Sequence, residues 1–369
     1  MRLNVPRLDE DEFDAVREVL ASGMLTQGRQ AQELEEAVRG VAQTGYAAAV
    51  SSATTGLHLT LVALGIEAGD EVVMPAFSFP ATANVVVQQG ATPVFVDIDP
   101  VTFNIAPEQI EAAMTSRTKA IMPVHAFGLC ADMDAVNDVA SRHGVPVIED
   151  AACALGGLYR GRPAGSLAAA GVFSFHPRKI ITTAEGGMIT TDDVELAERI
   201  AVLRAHGAVR GELYMEFVEA GFNYRLSDVH AAIGLAQMRK FPAIVEGRRA
   251  RAAALSERLL GAEGVRTPTE PSGVSHTYQS YVVLLADDID RDGVIRSMRA
   301  RGIETTLGTY GMHLQPYFTG RFGDQSARLA HATRAHRQAL TLPLYPQLTH
   351  DDLDLIAEAL AASTAENRI

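Results

Sequence analysis

The segment SFHPRKIITTAEGGMITTDD at 174–193 decides how the rest of the chain is interpreted. It continues the apolar run GVFSFH, whose alternation predicts a strand with Phe173 and Phe175 on one face and Ser174 and His176 on the other. A lysine follows, and the sequence Glu-Gly-Gly then permits a tight turn before a second strand. The segment therefore predicts a strand, a turn that carries a lysine, and another strand.

Lysine is rare in this chain, which makes the lysine of that turn informative. Of 32 basic residues, only Lys119, Lys179 and Lys240 are lysines. A lysine amine can lose its proton and condense with a carbonyl, whereas a guanidinium cannot. Lys119 opens a strand and Lys240 lies in a helical context, so we expect both to be solvated charges. Lys179 is the candidate reactive amine.

The chain before this segment alternates short apolar runs with helical patterns from Tyr46 to about Asp193. That alternation predicts a mostly parallel sheet covered by helices on both faces. Two amphipathic helices, near Glu10 to Ala21 and Gln30 to Val41, precede the sheet.

The pattern after Asp193 is rich in helices, with a long helical stretch over about 227–260 and one strand-like run, YVVLL. A smaller α/β domain fits this pattern. We expect a large domain over 1–240, including the N-terminal helical arm, and a small domain over 241–369.

Composition and charge exclude several classes of function. The chain has 45 acidic and 32 basic residues, and its net charge of -13 repels nucleic acid and anionic membrane surfaces. No apolar stretch is long enough to span a membrane, and the N-terminus has no signal-like apolar region. Two cysteines without metal-ligand spacing argue against a metal site. We expect a cytoplasmic protein.

Two further segments offer groups that would bind a phosphorylated ring. VSSATTGLHLTLVALG at 50–65 turns from a strand into a helix near Thr54, where free N–H groups attract phosphate, although Ser and Thr are also ordinary helix caps. In VPVIED, Asp150 ends a buried strand, at the edge of a parallel sheet where ligands gather. That carboxylate would either keep a pyridine nitrogen protonated by pairing with its charge or cap the next helix.

Together these motifs resemble the DegT/StrS-type sugar aminotransferases, a branch of the fold type I aminotransferases that use pyridoxal 5'-phosphate (PLP). The resemblance covers almost the whole chain. It is carried by ordered segments: GMLTQG at 23–28, DEVVMPAFSFPATAN at 70–84, VFVDID at 94–99, VIEDAACALG at 147–156, the segment at 174–193, and GFNYRLSDVHAAIGLAQM at 221–238. It implies a large domain with a mostly parallel seven-stranded sheet, and a smaller C-terminal α/β domain.

The resemblance also implies roles for individual residues. Lys179 would be the Schiff-base lysine and proton shuttle, and Asp150 the partner of the pyridine nitrogen. The remaining cofactor-binding residues would be Ala53 and Thr54 at the phosphate, Ser174 as a hydroxyl ligand of the same phosphate, Phe79 stacked on the ring, Cys153 near the phenolic oxygen, and Asn223 donated by the neighbouring subunit of a homodimer. Phe79 as an ordinary core residue is the competing interpretation.

Some positions remain open or depart from the family pattern. His176, Glu185 and His313 are candidate substrate contacts. The alternative is a hydrogen bond behind the site for His176 and simple packing for His313. Cys153 stands where relatives usually have Gln or His, and Ala53 and Ala184 replace common glycines. None of these changes removes a catalytic group.

The expected reaction is transfer of an amino group, from glutamate by analogy, to a keto-sugar nucleotide. A keto-cyclitol or another carbonyl compound is the alternative acceptor. A sugar dehydratase of the same family would carry histidine in place of Lys179, and a non-catalytic PLP sensor is a further alternative. A nicotinamide dehydrogenase is disfavoured because no G-x-G-x-x-G motif follows the first strands.

Overall fold

The computed structural model describes residues 1–369, and its strands form one large sheet and several small ones. The strands are β1 Tyr46–Val50, β2 Glu71–Pro75, β3 Phe77–Ser78, β4 Thr92–Val96, β5 Thr118–Ile121, β6 Ile148–Asp150, β7 Leu158–Tyr159, β8 Arg162–Pro163, β9 Ala170–Ser174, β10 Gly187–Thr191, β11 Ala208–Arg210, β12 Met215–Phe217, β13 Val265–Arg266, β14 Val274–Ser275, β15 Tyr281–Leu285, β16 Thr306–Leu307, β17 Tyr310–Gly311 and β18 Ala339–Leu342.

Helices surround these strands and match the predicted positions closely, including the two that precede the sheet. The α-helices are α1 Glu10–Ser22, α2 Arg29–Ala42, α3 Ala53–Ala63, α4 Ala81–Gln88, α5 Pro107–Ala113, α6 Met133–His143, α7 Val194–Leu203, α8 Asp228–Arg258, α9 Arg291–Ala300, α10 Pro316–Phe322, α11 Ala330–Gln338 and α12 His350–Glu366.

The large sheet has the strand order β4-β2-β5-β6-β9-β10-β1, with seven strands as expected. Parallel bridges from Ile121 to Val147 and from Val124 to Asp150 join its two halves across β5 and β6. Only β10 runs against its neighbours. The carboxyl ends of β6 and β9 therefore lie side by side, and their last residues meet at one edge of the sheet.

The sheet is buried because its strands are apolar on both faces, which is the pattern of a sheet covered by helices. Phe173 and Phe175 are fully buried while Ser174 is half-buried and His176 is exposed, so the predicted alternation is confirmed. Helix α3 packs on this sheet through Gly56, where a Cβ atom would stand 2.8 Å from Val172 Cγ1. The close approach fixes the start of α3 above the sheet edge.

A second sheet, in the order β13-β15-β18-β16, packs against α9 and α12 in the C-terminal part of the chain. Helix α8 is continuous from Asp228 to Arg258 and runs through residue 240, so the proposed boundary lies within a helix. The division into domains 1–240 and 241–369 stays a prediction. None of the helices combines the length and the apolar character needed to span a membrane.

The first residues of the chain join the two parts of the fold. The amino group of Met1 donates to the Gly302 carbonyl, and the amide of Leu344 donates to the Leu3 carbonyl at 3.3 Å. One residue later, Asn4 Nδ2 donates to the Pro177 carbonyl at 2.9 Å. The segment over residues 1–4, called the N-terminal strap below, thus connects the C-terminal sheet with the turn that carries Lys179.

Candidate active site

Lys179 lies in a turn directly after β9, at the carboxyl edge of the large sheet. The turn is closed by the Lys179 amide, which donates to the His176 carbonyl at 2.8 Å. The Lys179 side chain is half-buried, and its Nζ lies 3.0 Å from Cys153 Sγ. No carboxylate lies within ion-pair distance of this amine. The side-chain neighbour of this amine is thus a thiol rather than an acid.

Two side-chain amides hold this turn from behind. Asn4 donates to the Pro177 carbonyl, and Gln279 Nε2 donates to the Arg178 carbonyl at 2.7 Å. Both depend on Arg248, whose guanidinium donates to Asn4 Oδ1 at 3.1 Å and to the Gln279 carbonyl at 2.6 Å. Burial lowers the pKa of Arg248 to about 10, which still leaves it charged at neutral pH. The backbone immediately before Lys179 is therefore fixed through one buried cation.

Asp150 ends β6 and is buried beside the last residues of β9. Its Oδ2 accepts a hydrogen bond from Thr82 Oγ1 at 2.7 Å, and its Oδ1 accepts one from the Ala152 amide at 3.2 Å. Both donors are neutral, and no arginine, lysine or histidine pairs with this carboxylate. A buried carboxylate without a cationic partner is suited to hold a ligand cation.

The start of α3 forms a cradle for an anion. Ser52 caps the helix by accepting from the Thr55 amide at 3.1 Å, which leaves the amides of Ala53 and Thr54 without an intrahelical acceptor. Gly187 makes the approach possible, because a Cβ atom there would stand 2.6 Å from the Ala53 nitrogen. Ser174 pairs with Gly187 across β9 and β10. The structure thus brings Ala53, Thr54 and Ser174 to one place.

Phe79 and Asn223 are both exposed in the single chain. The Phe79 side chain is 64% exposed and makes an edge contact with Tyr310, with ring centroids 6.3 Å apart. A large exposed aromatic ring beside a site is available for stacking, so the core interpretation of Phe79 is wrong. Asn223 makes a backbone bridge with Ala205 and no side-chain hydrogen bond to the groups around Lys179.

The tentative substrate residues separate into two groups. His176 and Glu185 are exposed on the segments that flank the lysine turn, and partial burial lowers the pKa of His176. His313 is 1% exposed, its Nε2 lies 2.8 Å from Thr333 Oγ1, and burial lowers its pKa. In the single chain this ring faces the interior, which favours the packing interpretation for His313.

Lys240 differs from expectation. It is not a solvated charge, since its side chain is only 10% exposed and its Nζ contacts Asp9 and lies 2.9 Å from Glu12 Oε1. The acidic start of α1 supplies these partners, more than two hundred residues earlier in the chain. Lys119 is exposed as expected. Lys179 is thus the one lysine that combines partial burial with freedom from acidic partners.

The groups present fit PLP by their chemistry. A free amine suits the aldehyde, an unpaired buried carboxylate suits the protonated ring nitrogen, and uncapped helix amides with a serine suit the phosphate. Sequence reasoning missed Thr82 and Ser78, which stand behind Asp150, and Arg248 behind the lysine turn. Their signal was weak: two hydroxyl residues inside SFPATAN, and one arginine among many along α8.

Comparison with known proteins supports the same interpretation over the whole chain. The model of the DegT/DnrJ/EryC1/StrS aminotransferase family matches residues 6–361. The spore coat polysaccharide biosynthesis protein SpsC of Bacillus subtilis is 37% identical over 372 residues, covering 97% of this chain and 95% of SpsC.

Solved structures agree with the fold at high similarity. The PLP form of Spr1654 from Streptococcus pneumoniae, a putative sugar aminotransferase, has a TM-score of 0.95 at 27% identity and covers 99% of both chains. DesI, crystallised in the presence of its TDP-sugar product, has a TM-score of 0.90 at 35% identity, covering 98% of this chain and 92% of DesI. The expected fold type I architecture and the PLP cofactor are confirmed.

Proposed function

Since the chain belongs to the DegT/DnrJ/EryC1/StrS aminotransferase family, we propose that it transfers an amino group from glutamate to a keto-sugar linked to a nucleoside diphosphate. The protein is a PLP-dependent sugar aminotransferase. The acceptor, the donor and the roles of individual residues belong to the proposal. The observation that carries them is the half-buried Lys179 amine, unpaired with acid, in a turn after the strand beside Asp150.

In the proposed mechanism the chain contributes four functions. Lys179 Nζ would hold the cofactor aldehyde at rest and, when free, would move the proton to and from the carbon that bears the amino group. Asp150 holds the proton on the pyridine nitrogen. The Ala53 and Thr54 amides and the Ser174 hydroxyl bind the phosphate. When bound, PLP supplies an electron sink that acidifies the neighbouring C–H bond.

A nucleotide-linked acceptor is supported by the surface next to the lysine. The guanidinium of Arg178 is exposed and forms no ion pair within the chain, which makes it available to a diphosphate. Among the relatives, DesI makes a TDP-sugar product. We expect the nucleoside diphosphate to raise the affinity for the sugar through such a contact.

The acceptor is tested in two half-reactions. Purified holoenzyme is mixed with glutamate, loss of the PLP absorbance is followed, and keto-sugar nucleotides and a keto-cyclitol are then offered to the aminated enzyme. We expect a keto-sugar nucleotide to restore the absorbance. Restoration by the keto-cyclitol alone would contradict the proposed acceptor, and no response to glutamate would contradict the donor.

The lysine is tested by borohydride reduction and peptide mass mapping. We expect reduction to fix PLP on Lys179 and the Lys179→Ala variant to lose this adduct. Lys119→Ala, which changes an exposed lysine elsewhere, is the matched control and keeps the adduct. An undiminished adduct in Lys179→Ala protein would overturn the assignment.

The proposal includes a homodimer in which Asn223 enters the partner's site. The hairpin of β11 and β12, which ends shortly before Asn223, exposes five large apolar side chains: Leu213, Tyr214, Met215, Phe217 and Val218. Exposed apolar clusters of this kind mark protein interfaces. A hairpin that cannot bury these side chains within its own chain is suited to contact a second copy.

Mixing inactive variants distinguishes the two possible placements of Asn223. We expect Lys179→Ala and Asn223→Ala proteins, unfolded and refolded together, to recover about a quarter of wild-type activity, because half of random dimers contain one intact site. If Asn223 served its own subunit, no site in the mixed dimer would be intact. Absence of recovery, with dimers present by light scattering, would contradict the shared site.

A further inference from the structure

A buried chain of hydroxyl groups ends on Asp150. Ser78, at the end of β3, lies with its Oγ 2.9 Å from Thr82 Oγ1, and Thr82, in the first turn of α4, lies 2.7 Å from Asp150 Oδ2. All three side chains are almost completely shielded from solvent. Water therefore does not compete for these hydrogen bonds, and each depends on the next.

The direction of the chain follows from the groups themselves. An ionised carboxylate only accepts hydrogen bonds, so the single proton of Thr82 is donated to Asp150. Thr82 is then left as an acceptor, and Ser78 donates to it. Two aligned O–H dipoles point their positive ends at the carboxylate, and such aligned bonds polarise one another.

Helix capping does not explain this arrangement. The N-cap of α4 is Pro80, and no side chain caps the helix. The Thr82 hydroxyl instead bonds side chains on both sides, linking the end of β3 to the end of β6. A threonine placed for capping would donate to or accept from the backbone of its own helix.

We propose that Thr82, supported by Ser78, is a positioning residue that holds the Asp150 carboxylate in place, facing the ring nitrogen of PLP. This inference rests on the proposed role of Asp150. Of the two hydrogen bonds that the Asp150 carboxylate accepts, the one from Thr82 is the shorter, at 2.7 Å against 3.2 Å from the Ala152 amide. The two donors to Asp150, the Thr82 hydroxyl and the Ala152 amide, are both neutral. No cation of the protein therefore competes with the pyridine nitrogen for this carboxylate.

The decisive test uses Thr82→Val, which keeps the shape of the side chain and removes the donor. We expect the dissociation constant of PLP and the rate of the glutamate half-reaction each to worsen about tenfold, as for a lost hydrogen bond to a charged group. Thr82→Ser, which keeps the hydroxyl, recovers most of both. Ser78→Ala has a smaller effect in the same direction.

Two comparisons separate positioning from a general structural effect. With a PLP analogue that carries carbon in place of the ring nitrogen, and in the Asp150→Asn background, Thr82→Val should change binding by less than about twofold. Thr364→Val, which removes another buried threonine hydroxyl far from the site, is the matched control and changes neither ligand's affinity. An equal loss for PLP and for the analogue would overturn the inference, as would an unchanged affinity for PLP.

The comparison of PLP with its analogue does not depend on whether the protein transfers an amino group from glutamate. If wild-type protein binds PLP but never accepts an amino group from glutamate, the proposed donor fails while the comparison of PLP with its analogue still decides the role of Thr82. If PLP and the analogue bind wild-type protein equally well, the role of Asp150 fails together with the inference.

Discussion

Replacing Arg248 with lysine tests whether one buried cation supports the lysine turn. Arg248 donates to the Tyr278 carbonyl at 2.9 Å, to the Gln279 carbonyl at 2.6 Å and to Asn4 Oδ1 at 3.1 Å. A lysine ammonium keeps the charge but is compact and cannot reproduce the planar fork. We expect two of the three bonds to be lost and the apoprotein to be destabilised by about 3 kcal/mol, at roughly 1.5 kcal/mol for each bond.

The measurement is urea unfolding followed by far-UV circular dichroism, since the chain has no tryptophan. Arg249→Lys is the matched control, because Arg249 also bonds Ser275 and Glu270 but is 37% exposed, so water replaces what it loses. We expect its effect to stay below about 1 kcal/mol. Equal destabilisation by the two variants would refute the role given to this residue.

Three further predictions concern single residues. In the apoprotein, iodoacetamide should label Cys153 and leave Cys130 intact, because burial raises the pKa of the Cys130 thiol. Bound PLP should protect Cys153. Peptide mass mapping that finds Cys130 labelled first would contradict this prediction. Ala184 has φ +66°, a left-handed conformation that costs less for glycine, so Ala184→Gly should stabilise the protein by about 0.5 to 1 kcal/mol. Gly144→Ala, at φ +64°, should destabilise it by a similar amount in the same urea assay. Burial lowers the pKa of His276 to about 3, so below about pH 6 the unfolded chain binds a proton that the folded chain does not. The free energy of unfolding therefore falls as the pH drops below about 6. We expect His276→Gln to reduce the slope of that fall by up to about 1.4 kcal/mol per pH unit.

What the sequence predicted well is local in the chain. The lysine turn, the strand before it and the start of α3 follow from side-chain alternation and helix signals within about ten residues. The fold and its cofactor also followed, because ordered motifs across the chain resemble a known family. Asp150 was placed at a strand end by the same pattern.

What the sequence did not predict depends on distant partners. Thr82 and Asp150, which are hydrogen-bonded, lie 68 positions apart in the sequence, and Lys240 and its partner Glu12 lie 228 positions apart. No hydrophobic periodicity or local motif predicts such a contact, because it forms only when the helices and the sheet pack together. The role of His313 could not be decided from the sequence for the same reason, since its hydrogen-bond partner Thr333 lies in α11.

The N-terminal strap has a consequence for how the molecule folds. Asn4 and its partner Arg248 are separated by 244 positions in the chain. The lysine turn is consequently braced only once α8 and the segments around Gly302 and Leu344 have packed against the N-terminal strap. Until those distant segments meet, the backbone before Lys179 lacks the hydrogen bonds that Asn4 and Gln279 donate to it.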